Sequence, residues 1–195
     1  MITWIVLGII ILGLLFVVAG GYNRLVALSQ RADQSFADID VQLKQRQDLI
    51  PNLVETVKGY AAHEQGTLDM VTQARAAAAG ATGVDGRVAA ENALTGALGR
   101  LFAVAEAYPD LKANSNFQQL QAELTDIENK LAAARRFFNN AVQEFNAARR
   151  QFPTVLFAGL VGFGSDRAFF DVGSGERETL NAAPKGVFLN HRSRA

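Results

Sequence analysis

The chain opens on an unbroken apolar run. From Ile2 to Ala19 there is no charge, no proline and no strongly polar side chain besides Thr3. A helix rises ~1.5 Å per residue, so ~20 residues cross a ~30 Å hydrocarbon core, and residues 1–21 read as a transmembrane anchor. Trp4 and Tyr22 sit near its two ends, ~27 Å apart at helical rise, where amphipathic rings favour the headgroup level. Past Tyr22 the pattern turns from continuous to periodic. Phe117, Leu120, Leu124, Ile127, Leu131, Ala134, Phe138, Ala141, Phe145, Ala148 and Phe152 recur at alternating steps of three and four, and all are apolar. That spacing predicts one long helix with a buried seam of period 3.5, as in coiled coils and bundles, and excludes a strand. Ser115 with Gln118 offers a capping box at its start, and Pro153 ends it. Ala134, Ala141 and Ala148 let a neighbour approach beside the bulky line of Phe138, Phe145 and Phe152.

The first part of the body carries a similar stripe. Leu25, Ala32, Ile39, Leu53 and Tyr60 share one line with Arg46, and Phe36, Leu43, Ile50 and Val57 form its companion. No breaker stands between Tyr22 and Gln47, so the anchor helix is expected to continue into the body as a rod. Gly20-Gly21 is its soft point, and Pro51 is expected to kink or interrupt it. Further helices are expected over about 64–79 and 87–107, the latter with Leu94, Leu98, Leu101, Ala105 and Tyr108 on one face. A glycine-bearing loop at Gly80–Gly86 and a Tyr108-Pro109-Asp110 turn separate them. The expected architecture is all-α: an N-terminal transmembrane helix continuing into an antiparallel up-down four-helix bundle over 22–152, then an apolar segment and irregular tail over 153–195. Within that last part Val155, Leu156, Phe157, Leu160, Val161 and Phe163 are apolar among Gly159 and Gly162, and the run is too short to span. The segment either packs on the bundle or meets the bilayer or another copy. From Gly173 the chain is polar and little regular structure is expected.

Charge sets the orientation. No Lys or Arg precedes the apolar run while Arg24 and Arg31 follow it closely, which puts the N-terminus outside and the body in the cytoplasm. A cleaved secretory signal fits less well, since the region before the run is Met1 alone and Val17-Val18-Ala19 is a poor cleavage site. The chain has no cysteine, which excludes a lipoprotein anchor, disulfides and thiolate metal sites. Gly8 and Gly13 are five apart, not the four of a close-packing helix pair. A net charge of zero argues against nucleic acid as a partner. The basic residues of the extreme tail, Lys185, Arg192 and Arg194, read as an ordinary solvated terminus.

Some polar residues fall where the periodicity predicts core. Arg46 is one, and a buried guanidinium must be paired. Glu128 is the partner expected for it; Gln121, Glu128, Arg135 and Arg149 follow a seven-residue repeat beside the apolar seam, with Asn139 and Asn146 on the flank. A satisfied network that fixes helix register is the favoured reading, ahead of a ligand or proton site. Catalytic motifs are lacking. His63-Glu64 has Thr67 where a zinc-protease helix places its second histidine, no G-x-S-x-G occurs, and Gly159-Leu-Val-Gly162-Phe-Gly164 does not follow a strand. No Glu-x-x-His pair suggests a di-metal bundle. No enzyme, metal or cofactor is expected.

These residues resemble the LemA family. Tyr22-Asn23 with Leu25-Val26 looks like its opening motif. Asp40-Val-Gln-Leu-Lys-Gln-Arg-Gln-Asp-Leu-Ile-Pro-Asn-Leu-Val-Glu-Thr-Val-Lys-Gly-Tyr60, running on to His63-Glu64, is its most specific signature. Glu106-Ala-Tyr-Pro-Asp-Leu-Lys-Ala-Asn114 with Phe117, Leu120-Gln121, Glu123-Leu124 and Glu128-Asn129 resembles a second. Arg135, Asn139, Ala141-Val142, Asn146 and Phe152-Pro153 resemble a third. Phe138 and Phe145 stand where the family commonly has tyrosine, and the residues after Gly164 follow no recognisable family pattern. The resemblance covers roughly residues 20–165. It implies a single-pass inner-membrane protein with a four-helix cytoplasmic bundle, and roles from magnetosome membrane formation to envelope stress, with no catalytic residues. The expected function is a non-enzymatic scaffold that self-assembles at the bacterial inner membrane and organises or shapes it. A monomeric adaptor for a membrane protease or signalling protein is the alternative. The lipid bilayer and further copies of the chain are its expected partners.

Overall fold

The computed structural model describes residues 1–170. Among these the chain is all helical, without strands. Helix α1 spans Ile2–Lys58, α2 Gln65–Gly80, α3 Gly83–Glu106, α4 Pro109–Lys112 and α5 Ser115–Arg150, followed by a 3-10 turn at Thr154–Leu156. At ~1.5 Å per residue α1 is a rod of ~85 Å. Its first 18 residues have a mean hydropathy of 2.9 and bury nothing against the rest of the chain, so it is one helix long and apolar enough to cross a membrane.

The expected interruption at Pro51 does not occur; α1 runs through it to Lys58. The reason lies on a neighbouring helix. A proline at 51 cannot donate to the carbonyl one turn back, Gln47, which is left without its helical partner. Arg75 of α2 fills the vacancy, donating from Nε to the Gln47 carbonyl at 2.8 Å. Gly20 and Gly21 likewise lie within continuous helix.

Other boundaries differ in detail. Helix α5 is capped by Asn114, not by Ser115: the Asn114 Oδ1 accepts from the Phe117 N–H at 3.0 Å, and Ser115 is the first helical residue. Gln118 turns back to donate to the Lys112 carbonyl. The seam of α5 is buried from Phe117 to Ala148 except for the half-buried Leu120 and Ala134, but Phe152 lies beyond the helix and is 79% exposed. The glycine-bearing loop shrinks to Ala81-Thr82, because Gly83 (φ 71°) and Gly86 open α3, with Asp85 placed favourably in its first turn. The turn at Pro109 becomes the single-turn α4, with proline at its first position.

Packing divides the body along its length. Helices α1 and α5 lie antiparallel, as the pairs Arg31–Glu144 and Arg46–Glu128 show. Farthest from the apolar run, Ile50, Leu53 and Val57 of α1 meet Leu68 and Val71 of α2, Leu94, Leu98 and Leu101 of α3, and Phe117 and Leu124 of α5. In the middle, Ala32, Ile39 and Leu43 pack on Leu131, Phe138 and Val142, with Val84 and Val88 of α3 at the edge. Nearest the apolar run only α1 and α5 remain. There Leu25, Phe145 and Ala148 are covered by Ala158 and Phe163, from the chain beyond α5.

Candidate functional site

Two polar assemblies stand out, and the residues anticipated as one network divide between them. The first centres on Arg46, 1% exposed on α1. Its Nη1 donates to Glu91 Oε2 at 2.7 Å, and its Nη2 donates to Thr95 Oγ1 at 3.0 Å and lies 2.6 Å from Glu128 Oε1. Gln47 also reaches Glu91, at 3.3 Å. The anticipated Glu128 is thus in place, but its side chain is 42% exposed while that of Glu91 is 1% exposed. Glu91 is the partner that sequence reasoning missed. It stands three residues before Leu94 on the line Leu94, Leu98, Leu101, Ala105, where an apolar residue is expected, the same anomaly that exposes Arg46. One guanidinium therefore ties α1, α3 and α5 together.

Arg135 lies one heptad beyond Glu128 on α5. Desolvation pulls its guanidinium below the ordinary arginine value; the attraction of Glu128 opposes this and the positive charge of Arg46 adds to it. The group of Arg46, Arg135, Glu91 and Glu128 is formally neutral. Gln121 makes no hydrogen bond to Arg46; it lines a surface depression with Arg46, Thr95, Phe102 and Glu128.

The second assembly holds the chain after Gly164 against the body. Asn146 donates from Nδ2 to the Arg167 carbonyl at 3.1 Å, and its Oδ1 accepts from the Arg167 N–H at 2.9 Å. Asn139 treats Phe170 the same way, at 3.1 and 2.8 Å. Each carboxamide replaces a missing backbone neighbour by supplying one donor and one acceptor. The spacing explains the match: seven helical residues rise ~10.5 Å, and three extended residues cover ~10 Å. The Arg167 guanidinium then reaches across to α1, to Asp33 at 2.6 and 3.1 Å and to Ser29 at 2.8 Å, while stacking on Phe145. Arg149 and Arg150 grip Asp166. Phe170 is buried between Phe36 and the Arg135 guanidinium. Residues 164–170 thus form a strap in the α1–α5 groove, running from the apolar-run end to the start of α3, where Phe170 shares a cluster with Val84 and Val88. Asn139 and Asn146, anticipated as part of the Arg46 network, serve this strap instead. The polar tail expected from Gly173, with Lys185, Arg192 and Arg194, lies outside the described residues.

Between α5 and the strap, residues 152–163 fold into a knob. It closes on Gly162, whose φ of 91° lets the Phe163 N–H reach the Ala158 carbonyl at 2.9 Å. Ala158 is buried, Phe157, Val161 and Phe163 are half-buried, and Val155, Leu156 and Leu160 are exposed. The knob seats on α1 just past the apolar run. A Cβ at Gly21 would lie 2.7 Å from the tip of the Phe157 ring, and Tyr22 meets Phe163 with ring centroids 6.2 Å apart. Trp4, at the other end of the run, is exposed.

The LemA family model matches residues 35–185. The chain belongs to the LemA family. The matched span includes the strap, with Arg167 and Phe170. Among similar proteins are the magnetosome protein MamQ of Magnetospirillum gryphiswaldense, 24% identical over 80% of this chain and 66% of its own length, and magnetosome protein MamQ 2 of Paramagnetospirillum magneticum, 24% identical over 73% and 62%. The chain therefore spans less than two thirds of the length of these relatives. LemA membership and the exposed apolar start of α1 fit a membrane-anchored protein.

Proposed function

We propose that this LemA-family chain is a non-enzymatic scaffold, anchored in the bacterial inner membrane, that self-assembles there and organises or shapes the bilayer. The observation that carries the reading is the unbroken α1. One helix supplies both an exposed apolar run, long enough to span, and the spine on which the whole body packs. Force or position at the bilayer passes directly into the body without a flexible joint. Arg24 and Arg31 after the run support an outside N-terminus and a cytoplasmic body. The helix packing supports reading the far half of that body as an antiparallel four-helix bundle. LemA membership and the relatives named as magnetosome proteins support a membrane-associated role.

Crosslinking in cells tests this reading. A membrane-permeant amine crosslinker applied to growing cells is expected to give a ladder of homo-multimers of the full chain. A single adduct with another protein contradicts self-assembly and supports the adaptor. The chain has no cysteine, so Val41→Cys on an exposed face of α1 reports orientation: an impermeant maleimide is expected to leave it unlabelled in intact spheroplasts.

A further inference from the structure

The knob at residues 152–163 carries apolar side chains that the body does not use. Leu160 is 88% exposed, Phe152 79%, Leu156 70% and Val155 52%, all within nine residues. Scattered exposed leucines need no explanation, but a contiguous apolar patch on a soluble face marks a contact. The place of the patch identifies what it contacts. Phe157 rests on Gly21, and Thr154 Oγ1 lies 3.5 Å from the same position. Leu25 and Ala158 share a buried cluster. The knob therefore stands at the first turn of α1 beyond Ala19, where the apolar run meets the polar body.

We infer that the knob is a second membrane contact: Phe152, Val155, Leu156 and Leu160 enter the interfacial layer of the same leaflet that α1 leaves. This deepens the anchored reading above and rests on it. Two features argue for lipid over another protein. The knob seats on α1 at Gly21 and Leu25, one to two turns past the exposed apolar residues 2–17, and the one charged residue between them in sequence is Arg24, which suits headgroups. The knob is also held rigidly, by the Gly162 turn, the Tyr22–Phe163 contact and the Arg149–Asp166–Arg150 clamp. A wedge beside a spanning helix occupies headgroup area on one leaflet only, and it fixes the rotation of α1 about its own axis.

The contact sets the role of Gly21. With no side chain there, the Phe157 ring lies against the α1 backbone, which draws the patch in to the flank of the spanning helix.

Tryptophan fluorescence of full-length protein in phosphatidylcholine–phosphatidylglycerol vesicles tests this directly, because Trp4 is the chain's single tryptophan. In a Trp4→Phe background, Leu160→Trp and, separately, Leu156→Trp place an indole on the patch at positions that are largely exposed. Phe137→Trp, exposed on α5 and ~20 Å further along the body at helical rise, is the control. With lipids brominated near the headgroup end of the acyl chain, the Leu160→Trp and Leu156→Trp variants are expected to lose most of their emission and to be blue-shifted. The Phe137→Trp variant is expected to be unaffected. If the wild-type Trp4 is quenched while both patch variants are not, the anchor stands and the wedge is overturned. A blue shift without quenching there assigns the patch to a neighbouring copy and also overturns it. If Trp4 itself escapes quenching by bromines at any acyl-chain depth, the anchored reading fails and the wedge with it.

Discussion

Replacing Arg46 by methionine leaves buried Glu91 without the guanidinium it is hydrogen-bonded to. Breaking a buried pair from one side costs ~3–5 kcal/mol, whereas replacing both members by apolar groups of similar volume is near neutral or stabilising. Arg46→Met is therefore expected to lower stability by about that amount, and Arg46→Met with Glu91→Leu to recover most of the loss, in urea unfolding of the full chain followed by circular dichroism. Equal midpoints for the single variant and the wild type would disprove the pairing. Pro51 makes a second prediction. An interior proline costs a helix ~3 kcal/mol, part of it for the orphaned carbonyl. Arg75 already satisfies the Gln47 carbonyl here. Arg75→Ala is expected to cost ~1–3 kcal/mol. Pro51→Ala should then stabilise more in the Arg75→Ala background than in the wild type, since an alanine N–H restores the bond. A double-mutant cycle reads that difference. Arg46 was legible in the sequence because it breaks an apolar line. Glu91 breaks another by the same rule and was within reach. Arg75 was not, because nothing local to residue 75 records that a proline on another helix has freed a carbonyl.

At the scale of elements, the strap does for the near half of the body what the α2–α3 pair does for the far half. Both cover the apolar groove between α1 and α5. The difference is the means: α3 brings a stripe of leucines, while the strap brings one buried phenylalanine and is held by two carboxamides. Asparagine is required for its paired donor and acceptor. Asn146→Asp keeps the shape but replaces the donor by an acceptor facing the Arg167 carbonyl. That variant is expected to release the strap locally, with faster hydrogen exchange at the Arg167 and Phe170 amides and unchanged exchange in the α3 core. Unaltered exchange at those amides would show that the carboxamide pairing is not what holds the strap. The long helices were legible because five heptads of period 3.5 leave a strong imprint. The strap was not, since a single extended segment of a few residues has no period to detect. Its only trace is on its partner, as Asn139 and Asn146 seven apart on a buried flank. The exact caps were also hidden, Asn114 and Ser115 being equally good residues for that position by chemistry alone.

For the molecule as a whole, three contacts converge on one end: the apolar run of α1, the knob and the near end of the strap. The other end, where α2, α3 and α4 gather, holds the largest core and the Arg46 cluster. A rod with its rigid mass at one end and its apolar contacts at the other suits a subunit that stands on a surface and meets its neighbours side by side. The helical architecture of the described residues and the long apolar start of α1 were legible from the sequence, because both rest on the crude sorting of apolar from polar positions. How copies would meet was not, since exposed faces carry no periodic constraint. The central claim is self-assembly of an anchored rod. Full-length protein purified in mild detergent, imaged by electron microscopy and weighed by light scattering with the detergent mass subtracted, tests it most directly. A large particle of regular shape, many times the 21.0 kDa of one chain, is expected; a monomer or small dimer would contradict self-assembly.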